Sequence, residues 1–371
     1  DIMTSQPPSN TEFSGALRNQ PSPPPWWYQP PTWWTQAPKR SLGRRMLRSL
    51  GIMIFILSIA FNVYLLALVS VAAGSSFGTQ TLRMGKENQV VAVYTISGVI
   101  GDRSADDFEQ FFREVSTAES IKALVLRVDS PGGGVSASDQ IYTRVKQLRE
   151  KGKTVVVSMG GTAASGGYYV SAPANEIFAE PTTITGSIGV IAAWVNVSGT
   201  LDKLGLEPVV IRSTDAAAWK DEISPVRPMS DLQRKHMQSV LDQMQQRFNT
   251  IVKDGRGSRL KTKESTVAMT FYEGTPKQEV VNYKQIEPLN GKIYLAEEAK
   301  EFGLIDGIGY LNQAIDRAIE LAKLDKPTVV EYAKRGWFFT AFFRNQEPVL
   351  DVKAQMHRLQ TPQIEMIWKV E

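Results

Sequence analysis

The sequence predicts an α/β protein: βαβ units around a mainly parallel sheet, preceded by one transmembrane helix. Two features carry this reading. Strand-like runs of β-branched residues, Val90–Ile96, Ala123–Val128 and Thr154–Met159, are punctuated by helical periodicity across Ala137–Glu150, the alternation that places helices over a parallel sheet. Upstream of them, Leu50 to Ala73 is uncharged and mostly apolar. At about 1.5 Å per residue it is long enough to cross the ~30 Å hydrocarbon core of a bilayer.

Residues 1–48 are rich in proline and tryptophan, with Pro23-Pro24-Pro25-Trp26-Trp27-Tyr28 and Pro30-Pro31-Thr32-Trp33-Trp34, and end in a basic stop. Such a segment cannot build a core and is expected to be extended, locally polyproline II. It is either a disordered cytoplasmic tail or a segment that docks a partner or rests its tryptophans at lipid headgroups. Residues 49–73 form the expected membrane helix. Lys39, Arg40, Arg44, Arg45 and Arg48 precede it, and only Arg83 and Lys86 follow closely, so the positive-inside rule puts the N-terminus in the cytoplasm and everything after about residue 74 outside it. A cleaved signal peptide would have a shorter apolar core, of ~7–15 residues.

Residues 74–86 read as a short flexible tether, and 87–325 as one folded domain. Within it Pro208–Arg212 is expected to be a further strand. Ser230-Asp-Leu-Gln233 has the form of a capping box, and Met237, Val240, Leu241, Met244, Phe248 and Ile251 recur behind it at helical spacing, as do Leu311, Ala314, Ile315, Ala318, Ile319 and Ala322. Residues 326–371 are an extension without a firm assignment; Gly336–Phe343 suits a membrane-surface or subunit contact.

Composition removes several functions. The net charge of +4 comes from 42 basic and 38 acidic residues with no basic stripe interleaved with aromatics, so nucleic acid is not an expected partner. Without cysteine there is no disulfide, thiol nucleophile or thiolate metal site. The two histidines, His236 and His357, have no ligand-like neighbours. No metal or other cofactor is expected.

Chemistry is concentrated in Gly160-Gly-Thr-Ala-Ala-Ser165-Gly-Gly-Tyr-Tyr169. The Thr154–Met159 strand hands over there to a helix, holding Ser165 on a sharp turn between small residues, as an acyl-transfer nucleophile requires. The same spacing also fits a tight Gly-rich packing turn. Three more motifs are Asp129-Ser-Pro-Gly-Gly-Gly134, Thr185-Gly-Ser-Ile-Gly-Val190 and Lys220-Asp-Glu-Ile-Ser-Pro225. In this order the four resemble signal peptide peptidase A, a family of membrane-bound Ser/Lys-dyad proteases, from about Val90 to Leu324, with Gly303-Leu-Ile-Asp-Gly-Ile-Gly309 adding to the match.

The resemblance implies a fold of the crotonase/Clp-protease type and makes 87–325 an exported protease domain. It implies Ser165 as nucleophile and Lys220 as general base. It also implies Ser187 as the hydroxyl that orients the lysine, and an oxyanion loop at Gly132 or Gly133 joined by Gly166. A lysine can act as a base when an apolar site disfavours its ammonium form. Ala216-Ala-Ala-Trp219 departs from the Gly/Lys-rich approach usual before that lysine. The implied activity is a membrane-anchored serine endopeptidase that degrades cleaved signal peptides and other extended peptides through an acyl-enzyme, assembled as a homo-oligomer whose dyads can be completed across subunits. The alternative is an inactive, membrane-tethered scaffold of the same fold that binds peptides.

Overall fold

The computed structural model describes residues 42–72, 77–271, 276, 278–334 and 363–367. The Pro/Trp-rich tail, Gly336–Phe343 and His357 lie outside these. The chain divides into two units, at Gly74 and Ser75. The first holds helix α1 (Leu42–Ala72), of which Met46–Leu65 is long and apolar enough to cross a membrane by length and composition.

The second unit carries β1 (Phe77–Arg83), β2 (Lys86–Ser97), α2 (Asp102–Thr117), β3 (Ile121–Ser130), β4 (Gly132–Gly134), α3 (Val135–Glu150), β5 (Thr154–Ala164), α4 (Gly166–Ser171), β6 (Glu176–Ala179), β7 (Ile184–Gly186), β8 (Ile191–Ala193) and α5 (Ser198–Lys203). Then come α6 (Asp231–Arg256), β9 (Lys263–Phe271), β10 (Glu279–Glu287), β11 (Ile293–Leu295), α7 (Ala296–Glu301), β12 (Gly307–Ile308), α8 (Leu311–Leu321), β13 (Pro327–Lys334) and β14 (Gln363–Ile367). The central sheet runs β1-β13-β2-β3-β5-β6-β12, with β7 on β5 and β11 on β7. The pairs β13/β2, β2/β3, β3/β5, β5/β6 and β6/β12 are parallel, as the βαβ order predicts. The three β-branched runs are the hearts of β2, β3 and β5, buried because both faces are covered.

On one face Phe108, Phe111 and Val115 of α2 and Ile141, Val145 and Leu148 of α3 close over alternate residues of β2, β3 and β5. On the other, Ala314, Ile315 and Ala318 of α8 cover Val91, Val93, Val125 and Val156. The α8 stripe is therefore core. The α6 capping box is present: Ser230 Oγ accepts from the Gln233 N–H at 3.3 Å, and Gln233 Oε1 accepts from the Ser230 N–H at 3.2 Å. Met237, Phe248 and Ile251 form the helix's buried side.

Three expectations are corrected. The tether at 74–86 contains β1, held antiparallel on β13; Phe77 packs edge-on against Tyr94, Phe111 and Tyr332. The extension at 326–371 supplies β13, inserted between β1 and β2 in the main sheet. Pro208–Arg212 is not a strand: Val209 is 84% and Ile211 92% exposed, and β-branched residues without a neighbouring strand have nothing to pair with. The hairpin β9/β10 and helix α2 were not anticipated.

Candidate active site

The catalytic candidates sit at the C-terminal ends of the parallel strands, where open α/β sheets leave a crevice. Ser165 terminates β5 and caps α4. Its backbone is at φ 53°, ψ −114°, a conformation costly for a residue with a Cβ and kept only where surroundings enforce it. They do so by hydrogen bonds on either side. The Ser165 N–H donates to Gly186 O at 2.8 Å and the Tyr169 N–H to Ser165 O at 2.9 Å. Thr185 Oγ1 donates to Ala163 O at 2.7 Å. The Ser165 side chain is thus turned back over the sheet end, 1% exposed, its Oγ 3.5 Å from Gly189 O.

Tyr168 and Tyr169 pin α4 from below. Tyr168 donates its hydroxyl to Leu304 O at 2.8 Å, and Tyr169 to Asp139 Oδ1 at 2.7 Å. Burial pushes both phenols far above their ordinary range, and the Asp139 carboxylate adds to this at Tyr169. Both therefore stay neutral donors at any working pH.

The glycine loop meets Ser165 from β4. A Cβ on Gly166 would fall 3.1 Å from Gly132 Cα, 3.1 Å from Gly133 N and 2.7 Å from Ser138 Oγ, so this approach admits only glycine. One on Gly133, at φ 158°, would collide with Ile100 O at 2.0 Å. The Gly132 N–H donates to Ser130 Oγ at 3.1 Å, and the Gly134 N–H to Ile100 O at 2.8 Å. Ser138, which the sequence did not single out, places beside this junction a fully buried Oγ that has no hydrogen-bond partner among the described residues.

Ser187 follows the residue that holds the Ser165 N–H. It is 9% exposed, at φ 49°, with its own N–H on Lys292 O at 2.8 Å. Ser165, Gly166, Gly132, Gly133 and Ser187 are thus gathered at one place. Lys220 is not. It lies exposed on a turn, its N–H on Ala216 O at 2.9 Å, and among the described residues its side chain makes no hydrogen bond or ion pair. The turn itself is fixed: Arg227 grips Asp221 at 2.8 and 3.0 Å, and hydrogen bonding from Arg227 holds that carboxyl below the usual range. His236, paired with Glu222 at 2.8 Å and leaning on Trp219, belongs to this turn. The Gly303–Gly309 motif has a structural use. Arg256, 1% exposed, binds Asp306 at 2.8 and 2.9 Å, tying the end of α6 to the strand ends. Burial alone would raise the Asp306 carboxyl, but Arg256, the Ile177 N–H and Arg259 outweigh it and hold it low.

A mainly parallel sheet of βαβ units with a buried serine on a strained strand-to-helix turn, facing a glycine loop, is a fold of the crotonase/Clp-protease type. The Clp protease family model matches residues 81–184, and that of peptidase family S49 residues 147–279. The chain is 32% identical to the putative signal peptide peptidase SppA of Enterococcus faecium over 74% of its own length and 76% of that protein's. It is 35% identical to Protease 4 of Salmonella typhi over 64% of its length, and spans 35% of that longer protein. ClpP1 from Listeria monocytogenes aligns at 18% identity and a TM-score of 0.34, covering 59% of this chain and 91% of that one. The chain belongs to the signal peptide peptidase A family.

Proposed function

We propose that the protein is a membrane-anchored serine endopeptidase acting by a Ser165/Lys220 dyad on cleaved signal peptides and other extended peptides. The observation that carries this is the strained, buried Ser165 set against the Gly132–Gly134 loop, an arrangement costly to maintain for packing alone. Ser165 Oγ attacks the scissile carbonyl, its proton passes to the neutral amine of Lys220, and the lysinium then protonates the leaving amine. Ser187 accepts a hydrogen bond from that amine and points its lone pair at Ser165. The oxyanion is met by backbone N–H groups of Gly166, which opens α4 and has no intrahelical acceptor, and of the glycine loop. Because the Gly132 N–H is already given to Ser130, Gly133 is the better second donor.

Among the described residues the exposed Lys220 side chain makes no hydrogen bond to Ser165 or Ser187, which favours a base lent by a neighbouring copy in a homo-oligomer. The apolar stretch Met46–Leu65 supplies the anchor, with the N-terminus cytoplasmic and the peptidase domain outside. The decisive experiment is labelling of the full chain by a fluorophosphonate. Labelling of the intact protein that is lost in Ser165→Ala, together with peptide hydrolysis, establishes the nucleophile. Absence of both makes the protein the peptide-binding scaffold instead.

A further inference from the structure

Helix α6 packs beside the nucleophile's helix, with Phe248 against Tyr169 of α4 at 4.8 Å between ring centroids. One turn before Phe248 it carries Gln245, whose half-buried carboxamide grips the backbone on both sides of Gly189. Gln245 Oε1 accepts from the Val190 N–H at 3.1 Å, and Nε2 donates to Ile188 O at 3.1 Å. These two partners fix the sense of the amide, because an N–H can be met only by its oxygen and a carbonyl only by its nitrogen. The remaining Nε2 hydrogen goes to Asn249 Oδ1 at 2.9 Å, which ties the side chain to its own helix.

A donor and an acceptor presented together are what a neighbouring strand would offer. Residues 187–190 join β7 to β8 and belong to neither, yet they hold a costly backbone, Ser187 at φ 49°, of the kind kept only where surroundings enforce it. Before it, Gly186 O accepts from the Ser165 N–H, and the Ser187 N–H donates to Lys292 O, each at 2.8 Å. After it, the Gly291 N–H donates to Ile188 O at 3.1 Å, and Gln245 supplies the rest. With Ile188 O and the Val190 N–H both turned to α6, the Gly189 carbonyl between them points the other way, 3.5 Å from Ser165 Oγ.

We infer that Gln245 is a positioning residue of the active site: it stands in for an absent strand and so holds Ser187 and the Gly189 carbonyl in place against Ser165. What is positioned, the Ser187 hydroxyl that orients the base, rests on the peptidase reading; the clamp itself rests on the hydrogen bonds alone. Methionine nearly matches glutamine in length and volume and makes neither bond. In Gln245→Met, Ile188 O keeps the Gly291 N–H, but the Val190 N–H, with one hydrogen to give, loses its acceptor. The strained residue just upstream, Ser187, is then free to relax.

Hydrolysis of an extended peptide by the full chain in detergent micelles tests this through a cycle of four proteins: wild type, Ser187→Ala, Gln245→Met and the double variant. Gln245→Met is expected to lower kcat about tenfold with KM within about twofold. Because it acts through Ser187, the double variant should be no more than about twofold slower than Ser187→Ala alone, whereas independent sites would multiply their losses. A combined loss of about a hundredfold, a wild-type kcat, or a change confined to KM overturns the inference. Amide hydrogen exchange needs neither turnover nor a variant that folds. In the wild type the Val190 amide is expected to exchange at least about a hundredfold more slowly than an unstructured one, and free exchange overturns the clamp. A protected Val190 amide in a wild type that hydrolyses nothing leaves the clamp standing and removes the peptidase reading.

Discussion

Residues 154–190, which bear Ser165 and Ser187, are largely buried. In the next stretch, residues 191–229, Ser224 alone is buried. The first has its geometry written into the sheet: β5 pairs on both sides, and hydrogen bonds from Thr185 and to Gly186 hold a backbone that a free chain would not adopt. The second bears Lys220 and exposes Val195, Leu204, Leu206, Val209, Ile211 and Trp219, apolar side chains of a kind the first stretch keeps inside. A nucleophile tolerates no looseness, so its half of the site is built into the core. The stretch with Lys220, the base proposed above, has a turn held by Arg227 and Asp221 but little buried core of its own.

The sharpest break of this contrast is Ser165→Ala. It should cut peptide hydrolysis by roughly 10⁴-fold or more while leaving the melting temperature within a degree or two, because the hydroxyl makes no short hydrogen bond whose loss would unfold the turn. Retained turnover would move the nucleophile elsewhere. Lys220→Arg comes next: a guanidinium keeps its proton, so activity should fall by about 10²–10⁴-fold. Mixing inactive Ser165→Ala with inactive Lys220→Ala protein should restore measurable turnover through hybrid sites. Wild-type-like hydrolysis by Lys220→Arg would remove the base assignment, and silent mixtures would remove only the sharing between copies.

Arg256→Leu probes the built-in half for stability instead of chemistry. It removes the buried one of the two arginines on Asp306, leaving Arg259 at 3.0 Å and the Ile177 N–H at 2.8 Å, and should cost up to about 3 kcal/mol of unfolding free energy in denaturant titrations. The sign with pH follows from the depressed Asp306 carboxyl. The pair's contribution is complete above the ordinary aspartate value of about 3.9 and is lost as pH falls through the lower folded value. The gap between wild type and Arg256→Leu should therefore narrow in acid; a gap that widens there would contradict the pairing. On the other half, Val209→Asp with Ile211→Asp should weaken assembly, seen as a smaller particle in light scattering of the detergent-free domain, with little change in its melting curve. Smallest is Ser187→Ala, about tenfold on kcat, since it removes orientation and leaves both dyad members in place.

Local sequence revealed what local forces decide. The β-branched runs of β2, β3 and β5, the α3 and α8 stripes and the Ser230 capping box depend on side chains near one another in sequence. The conjunction of Ser165 with the Gly132–Gly134 loop and Ser187 was expected only through the family resemblance of the ordered motifs, because the strands that end beside one another, β3, β5 and β7, meet through pairings distant in sequence. What was hidden depends on distant partners. β1 is a polar run, Gly78-Thr-Gln-Thr81, that becomes a strand only because β13 lies beside it. The β9/β10 hairpin is mostly exposed and has no clear alternation to announce it. Pro208–Arg212 erred the other way, with strand propensity and no partner.

The place of β13 also sets a timetable for synthesis. One edge of β2 pairs with β3, thirty-odd residues downstream, but its other edge waits for residues 327–332, near the end of the folded unit. Until those residues have emerged, β2 presents an open strand edge, the feature that invites pairing with another chain. Closing a loop of this length is slow, and parallel partners far apart in sequence are slower still. A ribosome-bound chain therefore carries a sticky, incomplete sheet until that point. The step that seals the sheet must follow synthesis of almost all of β1 to β13, so the complete sheet can accumulate only after residues 327–332 have emerged.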